Sequence, residues 1–327
     1  MGERSKYLGE LGEDFAAQTI SILGWQKLGD WGADFPCEDA DHRTVSGTAE
    51  KREHGIDGVY GYEDPYTKVF TVVIVEGKAL SWVVTKKGVE TPKNKSSIGT
   101  DLDGFVKTLS EKISCAKRSA KFKEFFGLTG KRIEILGAIV YYVHSGYLRS
   151  TYEGVLEKIV LPGNGGSSPI FILDNMILQH ILSMGAHLRL LKAETGKEAV
   201  IEYMHPDGEK LSTKTPWTHH ARIQQLFSSF LTARVTGQSG ASPLQIFYFG
   251  TYSQTAIRRF CAATARFNII THDQVDFIPI SSRDPVESKH SFEATLNQGA
   301  IRFEDRDVEF KIKNAQVVQP SFPVKDG

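Results

Sequence analysis

The stretch HGIDGVYGYEDPYTKVFTVVIVEGKA, residues 54–79, decides how the rest of this chain is read. It holds two β-rich runs, 55–62 and 68–79, joined by Glu63-Asp64-Pro65-Tyr66, whose Asp-Pro pair marks a turn. The second run is apolar on both alternating faces through Val75, the pattern of a central strand covered on both sides. Side chains alternate along a strand, so Glu76 and Lys78 project to one side with Gly77 between them. Asp57 lies one hairpin earlier, on the preceding strand, where antiparallel pairing would set it beside Glu76. Two carboxylates and one ammonium then converge at the end of an apolar sheet. Such charges are costly to bury without partners. A hard divalent cation is the natural partner for the carboxylates, with Lys78 offsetting negative charge next to it.

Upstream, Leu8, Leu11, Phe15, Thr19, Ile22 and Leu23 recur at helical spacing and Gly24 offers a stop, which predicts a helix over residues 5–23. Residues 25–31 read as a short strand and 34–53 as a polar loop. Downstream, 81–97 carries Lys86, Lys87, Lys93 and Lys95 among Gly, Pro and Asn and reads as a mobile basic loop. Leu102, Phe105, Val106, Leu109 and Ile113 form one apolar stripe, so 101–118 is read as an amphipathic helix. A buried strand follows at 132–144. After the turn GNGGSSP at 163–169 come a strand at 170–173 and a helix at 175–191. Beyond these, the pattern alternates: strand at 198–203, helix at 218–234, strand at 244–249, helix at 253–267, then β-leaning segments to 323.

This layout of helix, three strands, helix and strand, with Asp on one strand and Glu-x-Lys on the next, resembles the PD-(D/E)XK, or restriction-endonuclease-like, nuclease superfamily. The opening helix adds to the likeness. Gly12-Glu13-Asp14-Phe15-Ala16-Ala17, followed by Leu23-Gly24-Trp25, is similar to the first helix of junction resolvases and Mrr-like nucleases. The likeness covers about the first 145 to 175 residues, with Gly55-Ile56-Asp57 where the nominal motif has Pro-Asp. It implies an α/β fold with an αβββαβ core in residues 1–175. A C-terminal α/β extension, 176–327, would serve substrate selection, oligomerisation or partner docking. It implies that Asp57 and Glu76, with the Gly77 carbonyl, hold Mg²⁺ or Mn²⁺ for phosphodiester hydrolysis of DNA. Lys78 would orient water or stabilise transition-state charge, and Glu13 would act from the side, on a second metal or on Lys78. Nucleases laid out this way often serve restriction or anti-phage defence beside a helicase or ATPase. No ATPase motif is present here, so such a motor would be a separate chain. A homodimer would suit double-strand cutting. The alternative is a nuclease-like protein that binds nucleic acid or a partner without cutting.

Formal net charge is zero, with 39 basic and 39 acidic residues, so a polyanion site must come from local clustering. The best cluster is 117–132, where Lys117, Arg118, Lys121, Lys123, Lys131 and Arg132 face Glu124 alone. With Lys86 and Lys87 it is the candidate for phosphate-backbone contact; a solvated helix face is the bland alternative. His54 directly precedes the Gly-Ile-Asp run and reads either as a lining residue or as an ordinary loop residue. His219 and His220 lack the spacing of a helical zinc site. Cys37, Cys115 and Cys261 lie far apart and in no C-x-x-C pair, which argues for reduced thiols in a cytoplasmic setting and against a zinc ribbon. Cys115 reads as a small core residue. The N-terminus has no apolar core for a signal peptide. The longest apolar run, 135–143, is too short to cross a bilayer, so a cytoplasmic protein with no membrane partner is expected.

Overall fold

The computed structural model describes residues 2–29, 33–37, 53–80, 83–84, 90–91, 95–143, 168–196, 198–205, 216–238, 240–250, 253–266, 274–280, 290, 294, 309–313 and 318. The first half is built on a sheet whose centre is the apolar run of the opening stretch. Its strands are β1 (Gln26–Lys27), β4 (Gly58–Glu63), β5 (Phe70–Leu80), β8 (Ile133–Val143) and β9 (Ile170–Leu173), hydrogen-bonded in the order β1-β4-β5-β8-β9. Two small antiparallel ribbons stand apart from it: β2 (Ala33–Pro36) with β3 (Glu53–Ile56), and β6 (Val83–Val84) with β7 (Glu90–Thr91). β5 pairs antiparallel with β4 and parallel with β8. Helix α1 (Gly2–Ile22) precedes the sheet, while α2 (Lys95–Arg118) and the short α3 (Ala120–Phe125) form the crossover that makes β8 parallel.

Alternation along β5 explains why both of its faces are apolar. Val73 and Val75 pack with Phe15, Ala16 and Ile20 of α1, whereas Val72 and Ile74 pack with Leu102, Val106 and Leu109 of α2. The same parity sends Glu76 and Lys78 to the α2 side and turns Gly77 toward α1. α2 begins six residues earlier than the spacing predicts, at Lys95, so the end of the expected basic loop is helical. Lys86, Lys87 and Lys93 lie outside the described residues.

Three sequence expectations need correction. Residues 55–62 are two strands, not one: β3 pairs with β2, β4 joins the main sheet, and Asp57 is the bend between them. Residues 34–53 include all of β2 but Ala33, as well as the first residue of β3, so the run is not a polar loop throughout. In the second half, 218–234 is not a helix. It is the end of a short strand at Trp217–Thr218, a 3-10 turn at Ile223–Phe227 and the start of β12 (Phe230–Gly237). Ile223, Leu226, Phe227, Phe230 and Leu231 mimic a helical stripe. Within the strand the buried apolar residues are Leu231, Ala233 and Val235, and their period of two is that of a strand.

The second sheet comprises β10 (Val200–Met204), β11 (Trp217–Thr218), β12 (Phe230–Gly237), β13 (Gly240–Ala241), β14 (Leu244–Tyr248), β15 (Gln274–Pro279) and β16 (Glu309–Ile312). The order is β11-β10-β12-β14-β15-β16, with β13 on β12; β14, β15 and β16 are parallel. Helix α4 (Asn175–Thr195) starts at Asp174, whose carboxylate accepts from the backbone N–H groups of Met176 and Ile177 at 3.1 and 3.0 Å. A cap of this kind contributes about 1 kcal/mol. α4 is buried along much of its length, and one apolar cluster runs from α1 and the first sheet through α4 to Tyr203, Leu231 and Phe247 of the second. Helix α5 (Gln254–Arg266) covers the other face of the second sheet, with Ile257, Phe260 and Cys261 against Leu244, Ile246 and Phe277.

Candidate active site

Register places the acidic residues. Gly58 pairs with Val75, so the residue before it, Asp57, stands across from Glu76 where the chain leaves β3. Because Asp57 is a bend and not a ladder residue, its carboxylate is free to fold onto β5: Oδ2 accepts from the Gly77 N–H at 2.9 Å. Gly77 is required there. A Cβ on it would meet the backbone oxygen of Gly12 on α1 at 2.6 Å, so the helix lies directly against the strand.

Lys78 Nζ lies 3.1 Å from Asp57 Oδ2 and 2.9 Å from Glu76 Oε2, and 5.8 Å from the centre of the Phe105 ring. The other Glu76 oxygen is held by Lys112 Nζ of α2. Glu76 is almost wholly buried and Lys112 nearly so. Asp57, Glu76, Lys78 and Lys112, with Gly55, Ile56, Phe105 and Thr108, line a cavity of about 520 Å³ between the β3–β4 bend and α2. The sequence reading missed Lys112. The signal was present, since Lys112 sits three residues past Leu109 and one before Ile113, on the face of α2 that the stripe marks as buried.

Burial of Lys78 works against its charge, but Glu76 and Asp57 together outweigh that and hold its pKa above the ordinary lysine value. Lys78 is therefore an ammonium at neutral pH, suited to stabilising negative charge rather than to accepting a proton. Glu13 is pushed upward, first by burial and then by the charge of Asp57, with Lys78 pulling the other way. Glu13 thus shares a field with the site although it does not line the cavity. Its backbone nitrogen lies against Gly77, where an added Cβ would come within 3.1 Å.

The donor set can be tested against a divalent cation. An oxygen from each of two carboxylates lies near 3 Å from one point, now filled by the singly charged Lys78 nitrogen. With Glu13 beside them, three carboxylates face two ammonium groups. Hard oxygen donors carrying surplus negative charge around an existing cation position fit a hard divalent cation.

The other sequence candidates lie elsewhere. His54 is a fully buried strand residue of β3, with its ring 5.2 Å from that of Phe35, and does not line the cavity. Lys117, Arg118 and Lys121 are exposed and Lys123 is half-buried. Lys117 and Arg118 lie beyond Lys112 toward the end of α2, Arg118 about 9 Å further along the axis at the usual rise per residue. His220 donates from its ring to the Glu63 carbonyl at 2.9 Å, a structural bond.

An acid on the residue before one strand, Glu-x-Lys on its antiparallel neighbour, a covering first helix and a parallel crossover define a PD-(D/E)XK nuclease domain. Consistent with this, the family model of the GAPS4 protein PD-(D/E)XK nuclease domain matches residues 1–176, and the chain belongs to that family. No curated protein and no solved structure matches it. PD-(D/E)XK nucleases generally use divalent metal ions. Among the described residues no helix is long and apolar enough to cross a membrane.

Proposed function

We propose that the chain is a metal-dependent endonuclease that hydrolyses phosphodiester bonds of DNA. The observation that supports this most is the convergence of Asp57 and Glu76 on one cation position in an open cavity lined by Lys78 and Lys112. Asp57 and Glu76 would hold Mg²⁺ or Mn²⁺, with the Gly77 carbonyl and Glu13 beside them. When bound, the ion supplies Lewis-acid polarisation of the scissile phosphate and activation of water. Lys78, kept charged by its two acidic neighbours, stabilises the negative charge that builds on the phosphoryl oxygens. Lys112 holds the other Glu76 oxygen and so orients the carboxylate within the cavity they both line. Lys117, Arg118, Lys121 and Lys123, together with Lys86 and Lys87, would follow the phosphate backbone away from the cut.

GAPS4 is an anti-phage defence component, so the same reading extends to foreign DNA as substrate, in the cytoplasm. A separate helicase or ATPase subunit would deliver that DNA, and residues 176–327 would dock it or a second copy of the chain. The test is a substrate panel: supercoiled, linear and single-stranded DNA and an RNA of equal length, each with Mg²⁺, Mn²⁺ or EDTA. Nicking or linearisation of the plasmid that EDTA abolishes is the expected outcome. Tight binding of every substrate without cutting would replace this reading with that of a non-cleaving binding protein.

A further inference from the structure

Between the β2–β3 ribbon and the end of α2, three residues that sequence distance keeps apart are packed together. Cys37 follows β2, His54 lies on β3, and Cys115 lies in the last turns of α2. Their donor atoms all lie within 4.8 Å of one another, and the two sulfurs are 3.8 Å apart. All three residues are buried, at 2%, 0% and 0% exposure. The cysteines are not in a disulfide, in which sulfur atoms stand about 2.05 Å apart.

From this cluster we infer a second metal site that takes a thiophilic divalent ion, Zn²⁺ by its chemistry, and that is separate from the carboxylate site. The sulfur spacing supports it: two thiolates on one tetrahedral zinc, each at about 2.3 Å, stand about 3.8 Å apart. Charge supports it too. Two thiolates and a neutral imidazole around a doubly positive ion sum to zero, so the ion can sit among Phe35, Ile56 and Phe122 without an uncompensated charge. The soft sulfur donors select against Mg²⁺, as the all-oxygen set at Asp57 and Glu76 selects for it. Three protein donors leave one position on the ion for a small exogenous ligand.

The place of the site gives it a role. The β2–β3 ribbon is hydrogen-bonded to no strand of the main sheet among the described residues, yet Asp57 is the next residue after it. Cys115 is three residues beyond Lys112, which grips Glu76. The ion would pin the ribbon that ends at Asp57 to the helix that carries Lys112. It would set the spacing of the cavity walls without touching substrate.

Metal analysis of the full chain, purified with reductant and dialysed against a weak chelator, tests this. About one equivalent of zinc per chain is expected in the wild-type protein and in Glu76→Ala, and less than about a tenth in Cys37→Ser. Cys261→Ser retains the metal. Protein stripped and refilled with Co²⁺ should show thiolate-to-cobalt charge transfer and the intense visible bands of a tetrahedral ion. A strong chelator should lower the melting temperature of the wild-type protein and leave that of Cys37→Ser unchanged. Should Cys37→Ser fail to fold, zinc content and the cobalt spectrum of the wild-type chain decide the matter alone. Wild-type protein that takes up neither metal on reconstitution, equal zinc in Cys37→Ser, or a Cys37–Cys115 disulfide in a non-reducing peptide map would each overturn the inference. Zinc present without nuclease activity upholds this site and counts only against the proposed reaction.

Discussion

Glu76 is held by two lysines that come from opposite directions in the chain. Lys78 is its strand neighbour, while Lys112 arrives on a helix 36 residues away. Removing Lys112 leaves a buried carboxylate with one ammonium fewer and lets it swing. Lys112→Met, which keeps the aliphatic bulk, should lower the rate of metal-dependent cleavage by about 10- to 100-fold, the usual cost of losing a partner that orients a metal ligand. Single-turnover kinetics at saturating Mg²⁺ read this directly, and an unchanged rate would assign Lys112 to packing alone. At this scale the local part of the site was legible. Asp57, Glu76 and Lys78 lie within 22 residues in a pattern whose period alone puts Glu76 and Lys78 on one side. Lys112 carried a weaker signal, its place on the apolar stripe of α2, because a lysine at such a position ordinarily keeps its ammonium in solvent.

Elements fix what residues alone cannot. α1 can lie against β5 only because position 77 has no side chain, and the same contact brings Glu13 to the site. Gly77→Ala should force the helix outward and cost about 1–3 kcal/mol, as overpacking in a tight contact does. Urea unfolding should show this as a lower midpoint, with the far-UV circular dichroism of the folded state retained. A midpoint within error of wild type would show that α1 does not bear on β5 as described. Strand and helix patterns with strong periodicity, such as β5 and α2, could be read from the sequence. The split of 55–62 could not, because a change of pairing partner at Asp57 leaves no trace in hydropathy. The misread helix at 218–234 arose because a 3-10 turn followed by a strand happened to reproduce helical spacing.

Across the whole molecule the two sheets are joined by polar contacts as well as by the shared apolar cluster. Arg222 Nε lies 2.7 Å from Asp64 Oδ2, Tyr62 accepts from the Ile223 N–H, and the Trp25 indole donates to the Ala221 carbonyl. Tyr203 donates to the Ile22 carbonyl. His205, bonded to Thr218 at 2.7 Å, sits in this junction. Burial, then the charges of His220 and Arg222, push its pKa down to about 3. Folded protein therefore keeps His205 neutral while the unfolded chain protonates near the ordinary value. The stability this provides is present above pH 6.5 and drains away as pH falls toward about 3. The loss has an upper limit of about 1.4 kcal/mol per pH unit. His205→Gln, whose amide can still bond Thr218, should flatten that part of the stability profile, measured by denaturant melts between those limits; a variant as acid-sensitive as wild type would point to other groups. Nothing in the sequence marked this junction, because its partners are some 160 to 200 residues apart and each is unremarkable alone.

Cleavage by this site rests on Asp57 and Glu76 holding the ion that drives it. Plasmid nicking by wild-type and Glu76→Ala protein, each confirmed folded by its melting temperature and titrated with Mn²⁺, tests it most directly. Cleavage that saturates with Mn²⁺ in the wild type and is absent from Glu76→Ala at every Mn²⁺ concentration is the expected result. Equal cleavage by the two proteins, or wild-type cleavage that persists in EDTA, would contradict it.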